Sequence, residues 1–245
     1  MPKRRIVVLS HDEAWNRYLV EAFEDTPSHP EILKSAQEAA PILRKGSVDV
    51  VFANADLLSP PCVVALQMHR SSSSSFRAFS LGWGSHSITS FAFDERFGEA
   101  PPPLSEFQKK VATHLPLPDP LRVLVVDDEP EIGGAFKEYF EGRRNPTFVI
   151  ETARDGAEGE RKIEASPPHV LVLDIKMPVQ DGRELYRELK KKDKLPPTIV
   201  FFDAISADEV LEIRRWGNPA FVEKGAHSSA MPELAALVKK IAYFG

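Results

Sequence analysis

The stretch PHVLVLDIKMPVQDG, Pro168–Gly182, decides the fold of this chain. Val170 to Leu173 is an unbroken apolar run with β-branched residues. Such a run suits a strand buried on both faces, as in a parallel sheet. Asp174 follows at once, Met177-Pro178 turns the chain, and Asp181-Gly182 leads into a helical pattern. A carboxylate at the carboxyl end of a parallel strand sits on the rim where open α/β sheets hold their ligands.

Around this stretch, residues 121–245 alternate strictly between strand and helix patterns. The expected strands are Arg122 to Val126, Thr147 to Glu151, Val170 to Leu173, Thr198 to Phe202 and Ala220 to Val222. Between and after them come helical patterns at Glu131 to Glu141, Gly156 to Ala165, Arg183 to Lys191, Ala207 to Trp216 and Met231 to Tyr243. This alternation predicts a parallel sheet covered by helices on both faces. All strand ends then share one edge, where Asp127, Asp128, Glu129, Asp174, Asp203 and the Glu223-Lys224 pair collect. Carboxylates this crowded repel unless a cation or a proton joins them. Hard oxygen ligands suit Mg²⁺, and a cation facing a carboxylate with Lys224 nearby can stabilise a transferring phosphoryl group.

Three motifs now carry a resemblance: Val123-Leu-Val-Val-Asp127-Asp128-Glu-Pro130, Val170-Leu-Val-Leu-Asp174-Ile-Lys-Met-Pro178 with Asp181-Gly182, and Phe221-Val-Glu-Lys224. In this order and spacing, residues 121–245 resemble the receiver domain of two-component response regulators (CheY-like). The resemblance implies a flavodoxin-like doubly wound sheet of five parallel strands and aspartyl-phosphate chemistry. Asp174 would accept phosphate from a phosphohistidine on a sensor histidine kinase or phosphotransfer protein. Asp128, Asp174 and the Lys176 backbone carbonyl would bind Mg²⁺, with Asp127 acting through water. Lys224 would meet the phosphoryl oxygens, and Phe221 would be the switch aromatic.

Two positions depart from that pattern. Asp203, just before Ala204, stands where receivers carry Ser or Thr. An ionised carboxylate cannot donate a hydrogen bond and repels a phosphoryl group, so altered switching or a short-lived phosphate is expected. Ser206 and Thr198 are the hydroxyls that a slip of register would bring into this slot. Gly225 follows Lys224 where the family commonly has Pro, so no cis bond is expected there.

The first half echoes the second. Arg5-Ile-Val-Val-Leu aligns with Arg122-Val-Leu-Val-Val, and Val48 to Asn54 aligns with Pro168 to Asp174. Ser10-His11 then replaces the acid pair, and Asn54 replaces the phosphoacceptor. No Lys follows the expected fifth strand, Ile88 to Phe93, after which Asp94-Glu95-Arg96 stands. This half reads as an irregular, degenerate receiver without phosphorylation, serving as a docking or dimerisation module. Asp12 caps a helix in this reading, and with Asp56 it is the one remaining pair that could hold a cation. Pro41 should bend or split the helix Ser35 to Arg44. Ser71 to Ser75 reads as a mobile loop, and Gly82 to Ser87 as a turn too short for a full helix.

The domains expected are therefore 1–115 and 121–245, joined by a stiff proline-rich linker at 116–120. Of the 245 residues only Cys62 is a cysteine, so no intrachain disulfide is available, and the net charge is −5. Neither direct nucleic-acid binding nor a membrane segment is expected, which suits a cytoplasmic protein. The expected activity is non-enzymatic: phosphate-controlled contact with a downstream protein target, with homodimer formation through a receiver face as a further contact. The alternatives are a scaffold that never uses phosphate and an N-terminal fragment of a larger regulator with an output domain. A small-phosphoester phosphatase lacks its second acid, because Lys176 stands two residues after Asp174.

Overall fold

The computed structural model describes the chain except residues 1–3, 25, 27, 47, 83–90, 92, 116, 145, 179, 226 and 245, and the side chains of 227–230 and 244. The chain divides into two compact units, with bodies Pro2–Glu24 plus Ser28–Pro116 and Leu117–Gly245. Each unit is a flavodoxin-like α/β domain on a five-stranded, all-parallel sheet.

The first unit runs β1 (Ile6–Leu9), α1 (Glu13–Ala22), β2 (Pro30–Leu33), α2 (Ala36–Lys45), β3 (Val50–Asn54), a 3₁₀ turn (Ala55–Leu57), α3 (Pro60–Ser72), β4 (Arg77–Leu81), β5 (Glu95–Arg96) and α4 (Leu104–His114). The second runs β6 (Leu121–Val126), α5 (Pro130–Phe140), β7 (Phe148–Ala153), α6 (Gly156–Ala165), β8 (Val170–Leu173), α7 (Gly182–Lys191), β9 (Thr198–Phe202), α8 (Ala207–Trp216), β10 (Ala220–Glu223) and α9 (His227–Phe244). The strand orders are β2-β1-β3-β4-β5 and β7-β6-β8-β9-β10. Both are the 2-1-3-4-5 arrangement, whose switch point lies beside the first and third strands.

The continuous apolar runs of the second sheet serve two cores. Val123, Val125, Val172 and Phe201 face Ile132 and Phe136 of α5 and Leu234, Val238 and Ile241 of α9. Leu124, Val126, Leu173 and Val200 face Ile163, Leu185, Leu189 and Ile213 of the other three helices. Alternate residues of one strand point to opposite faces, so both faces demand apolar side chains and the run cannot alternate with polar ones.

The first unit is less regular. One face packs on α2 and α3 through Leu43, Cys62 and Leu66. On the other side the core is aromatic: Phe52 stacks on Phe79, and Phe107 meets both Phe52 and Phe97. No helix joins β4 to β5 among the described residues.

Several expectations for this half need correction. β5 is Glu95–Arg96, so Glu95 and Arg96 form the last described strand and Asp94 directly precedes it. Asp94 pins this edge, accepting two hydrogen bonds from Arg70 and one from the Ala78 amide. Phe97-Gly98-Glu99 follows β5, so the absence of a lysine still holds. Ile88 to Phe93 and Gly82 to Ser87 lie largely outside the described residues. α2 runs through Pro41 without splitting. Pro41 lies mid-helix and removes one amide donor, and the Ser35 cap with the buried Ala39 and Leu43 holds the turns on either side. The serine run is not all loop, because Ser71 and Ser72 close α3.

Candidate functional site

The carboxyl edge of the second sheet gathers the predicted acids. Asp127 follows β6, and its amide donates to Ala153 O at 3.0 Å. Its Oδ1 accepts from the Glu129 amide at 3.0 Å, which turns the chain sharply into α5. Asp174 follows β8 with its amide on Val126 O, and its Oδ1 accepts from the Lys176 amide at 3.0 Å. These two turns present the remaining Oδ2 atoms to a common space. Asp127 and Asp174 are each 5% exposed, and ligand atoms of Asp127, Asp128 and Asp174 lie within 4.8 Å of one another.

Lys224 reaches this space from the end of β10, with only 1% of its side chain exposed. Its Nζ lies 3.0 Å from Asp174 Oδ2, 3.1 Å from Asp127 Oδ2 and 3.3 Å from Glu129 Oε1. Burial alone would lower the ammonium's pKa, but Asp174 and Asp127 outweigh it and hold the pKa above its ordinary value. Asp127 is pushed up to about 6, chiefly by burial and further by Asp174, against the Glu129 amide and Lys224.

The loop after Asp174 is held by packing. Ile175 and Met177 are buried, and the Gly182 amide donates to Ile175 O at 3.1 Å. Asp181 caps α7, accepting from the Arg183 amide at 2.8 Å. Gly182 lies so close that a Cβ there would stand 1.9 Å from the Asp174 carbonyl oxygen.

The remaining predicted residues are placed differently. Asp203 lies 3.6 Å from Lys224 Nζ with 70% of its side chain exposed. Phe221 is half-buried on β10, against the core that α6, α7 and α8 cover, with Arg214 over its ring. Neither substitute hydroxyl enters the slot. Thr198 pairs with Leu171 at the far end of β9 and donates to Pro196 O, and Ser206 is committed to capping α8 with Glu209. Lys224–Gly225 is not among the cis bonds, and Gly225 takes φ +46, a conformation that glycine adopts without strain. Glu129 joins the lysine although sequence reading assigned it no role. The signal was its place in the run Asp127-Asp128-Glu129.

The matching edge of the first unit lacks this cluster. Asn54 Nδ2 donates to Leu81 O at 3.0 Å, and Ser10 Oγ accepts from the Asp12 amide. Asp12 is engaged as the cap of α1, and Asp56 is exposed in the 3₁₀ turn. Among the described residues, Asp127, Asp128 and Asp174 form the one group suited to a metal ion.

The response regulator receiver domain family matches residues 123–236. Residues 123–236 are a receiver domain. The chain is 40% identical over 82 residues to the transcriptional regulatory protein TrcR of Mycobacterium tuberculosis, covering 33% of this chain and 30% of that protein. It is 35% identical over 114 residues to protein-glutamate methylesterase/protein-glutamine glutaminase 2 of Koribacter versatilis, covering 46% and 31%. The response regulator domain of Thermotoga maritima CheB superposes with TM-score 0.44 and 26% identity, over 50% of this chain and 96% of that one. The chain spans about a third of the length of either curated relative. Receiver domains bind Mg²⁺ at an acidic pocket and interact with histidine kinases or phosphotransfer proteins. No described helix of this chain is long and apolar enough to cross a membrane.

The raised pKa of Asp127 has a sign that can be measured. Its proton is held more tightly in the folded state, so its contribution to stability is fullest below about pH 4. That contribution is lost as pH rises through about 6. A shift of this size corresponds to about 2–3 kcal/mol. Without divalent cation, Asp127→Asn is therefore expected to be more stable than wild type at pH 7 and to lose the pH 4 to 6 slope. Urea unfolding across that range reads both, and added Mg²⁺ should stabilise wild type more than the variant.

Proposed function

We propose that the receiver accepts a phosphoryl group on Asp174 from a phosphohistidine of a sensor histidine kinase or phosphotransfer protein. The observation that carries this reading is Asp174 Oδ2, buried at the rim, facing Lys224 and flanked by two further acids. A carboxylate is a weak nucleophile, so it needs a preformed site with compensating charge and a good leaving group.

The donor set fits Mg²⁺. Three carboxylates converge, and buried Asp127 Oδ2 lacks a well-formed hydrogen bond although Lys224 is near. Asp128, Asp174 and the Lys176 carbonyl would hold the ion, with Asp127 through water. Bound there, Mg²⁺ supplies positive charge to the transferring phosphoryl oxygens. Asp174 attacks phosphorus as the bond to the histidine nitrogen breaks, and Lys224 leaves its carboxylate contacts to meet the phosphoryl oxygens. Phe221 then senses the exchange from β10. Phosphorylation would shift a pre-existing equilibrium between two binding surfaces.

In this reading the chain is organised as a pseudo-receiver, 1–115, a proline-rich linker, 116–120, and a receiver, 121–245. The pseudo-receiver docks or dimerises, since Asn54 is neutral and no acid cluster surrounds it. Output is contact with a downstream protein target. Because the match spans only about a third of either curated relative, an output domain in a longer protein is the alternative route. A phosphate-independent scaffold is favoured only by Asp203, which adds another acid beside Lys224.

Incubation with acetyl phosphate and Mg²⁺ followed by intact-mass measurement tests the proposal. One phosphoryl group is expected on wild type and on Asn54→Ala, and none on Asp174→Asn. An unmodified wild type, with partner binding indifferent to Asp174→Asn, would establish the scaffold instead.

A further inference from the structure

We infer that Asp203 is a catalytic base for hydrolysis of the aspartyl phosphate, so that the receiver erases its own signal. The inference rests on Asp174 being the phosphoacceptor. Asp174 Oδ1 is held by the Lys176 amide, which leaves Oδ2 as the oxygen turned toward Lys224. Asp203, exposed to solvent, is a further carboxylate contact of Lys224. The two legs, 3.0 and 3.6 Å, place the Asp174 and Asp203 carboxylate oxygens within about 6.6 Å of each other. A phosphoryl group on Oδ2 would then lie in the neighbourhood of Asp203. Its face opposite Asp174 is the face from which water must approach in line.

Asp203 suits this role better than its neighbour Glu129. Glu129 Oε1 accepts a hydrogen bond from Lys224 at 3.3 Å, so that oxygen is engaged. Asp203 stands at 3.6 Å, beyond hydrogen-bond reach, with 70% of its side chain in solvent. Its ion pair with Lys224 engages Oδ2 only, and the solvent-exposed carboxylate can take a proton from water. The loop that carries it is fixed by the capping box of Ser206 and Glu209, and Glu209 is tied in turn to Arg183. A hydroxyl side chain in this slot would donate to the phosphoryl group. A carboxylate can only accept, and a positioned carboxylate that activates water is an established way to cleave a stable ester-like bond.

The step balances. Water oxygen bonds to phosphorus while the bond from phosphorus to Asp174 Oδ2 breaks, and that electron pair returns to the Asp174 carboxylate. The water proton passes to Asp203, which releases it to solvent. The products are inorganic phosphate and the original receiver.

The full chain is loaded with acetyl phosphate and Mg²⁺, the donor is removed, and loss of the phosphoryl mass is followed. Asp203→Asn and Asp203→Thr are expected to decay at least tenfold more slowly than wild type. Asp203→Glu should recover much of the rate, and the solvent deuterium isotope effect should shrink in Asp203→Asn. If wild type holds too little label, steady-state phosphate release is read, and wild type should exceed Asp203→Asn. Equal decay in all variants, or an effect confined to loading rate, overturns Asp203 as the base and leaves the phosphoacceptor intact. No label on wild type, Asp203→Asn or Asp203→Thr overturns the phosphoacceptor, and this inference with it.

Discussion

Gly182→Ala is expected to destabilise the receiver by about 3 kcal/mol or more and to lower phosphorylation of Asp174 by about a hundredfold. The added Cβ would meet the Asp174 carbonyl oxygen at 1.9 Å, its carbonyl carbon at 2.9 Å and Ile175 Cα at 2.9 Å. All three are backbone atoms, so no side-chain rotation relieves the clash. The chain must move by about an ångström at the proposed phosphoacceptor, or α7 must pull away from the loop. Gly134 supplies the control. It lies within α5, and a methyl group there would have nothing within 4 Å, so Gly134→Ala should stabilise by about 0.5–1 kcal/mol. Urea unfolding and phosphoryl loading, measured on both variants, read opposite signs for one chemical change. Equal stability of the two would remove the close approach as the reason for Gly182.

Lys224→Met should be nearly as damaging at neutral pH. Methionine replaces most of the lysine stem, so packing is largely retained and the change is mainly one of charge. Asp127 and Asp174, each 5% exposed, then face each other without their cation. Removing one partner of a buried ionic group costs about 3–5 kcal/mol, because the remaining charge is left uncompensated. The cost should shrink toward pH 5. Asp127 already has its pKa pushed up to about 6, and without Lys224 it protonates more readily still. Saturating Mg²⁺ should recover part of the loss, since it supplies the missing charge. Unfolding at pH 5 and pH 7, with and without Mg²⁺, measures all of this. A loss independent of both pH and Mg²⁺ would mean that the lysine acts through packing alone.

How far the chain could be read depended on how local each signal was. In the second unit β8, β9, α6 and α8 fall within the expected bounds, because apolar runs and caps are local chemistry. The last described strand of the first unit is Glu95–Arg96, and most of the expected Ile88 to Phe93 lies outside the described residues. Phe91 and Phe93 look like strand residues, but the pairing belongs to Glu95–Arg96, where Arg70 and Asp94 pin the edge. A two-residue strand set by a long-range ion pair leaves no periodicity to read. Glu129 was legible as an acid but not as a partner of Lys224, since the two are far apart along the chain. Likewise, nothing in the spacing of Asp181-Gly182 reveals that α7 begins against the Asp174 carbonyl.

The order of residue types alone determined the two parallel sheets, the pairing of Asp127 and Asp174 on one edge, and the neutral Asn54 in the first unit. Period and strand polarity do this, because every parallel strand delivers its last residue to the same rim. Tertiary structure decided distances: that Lys224 is buried among three acids, that Asp203 stays exposed beside it, and that a methyl group at Gly182 has no room. Those depend on how side chains from separate strands converge, which no single segment encodes.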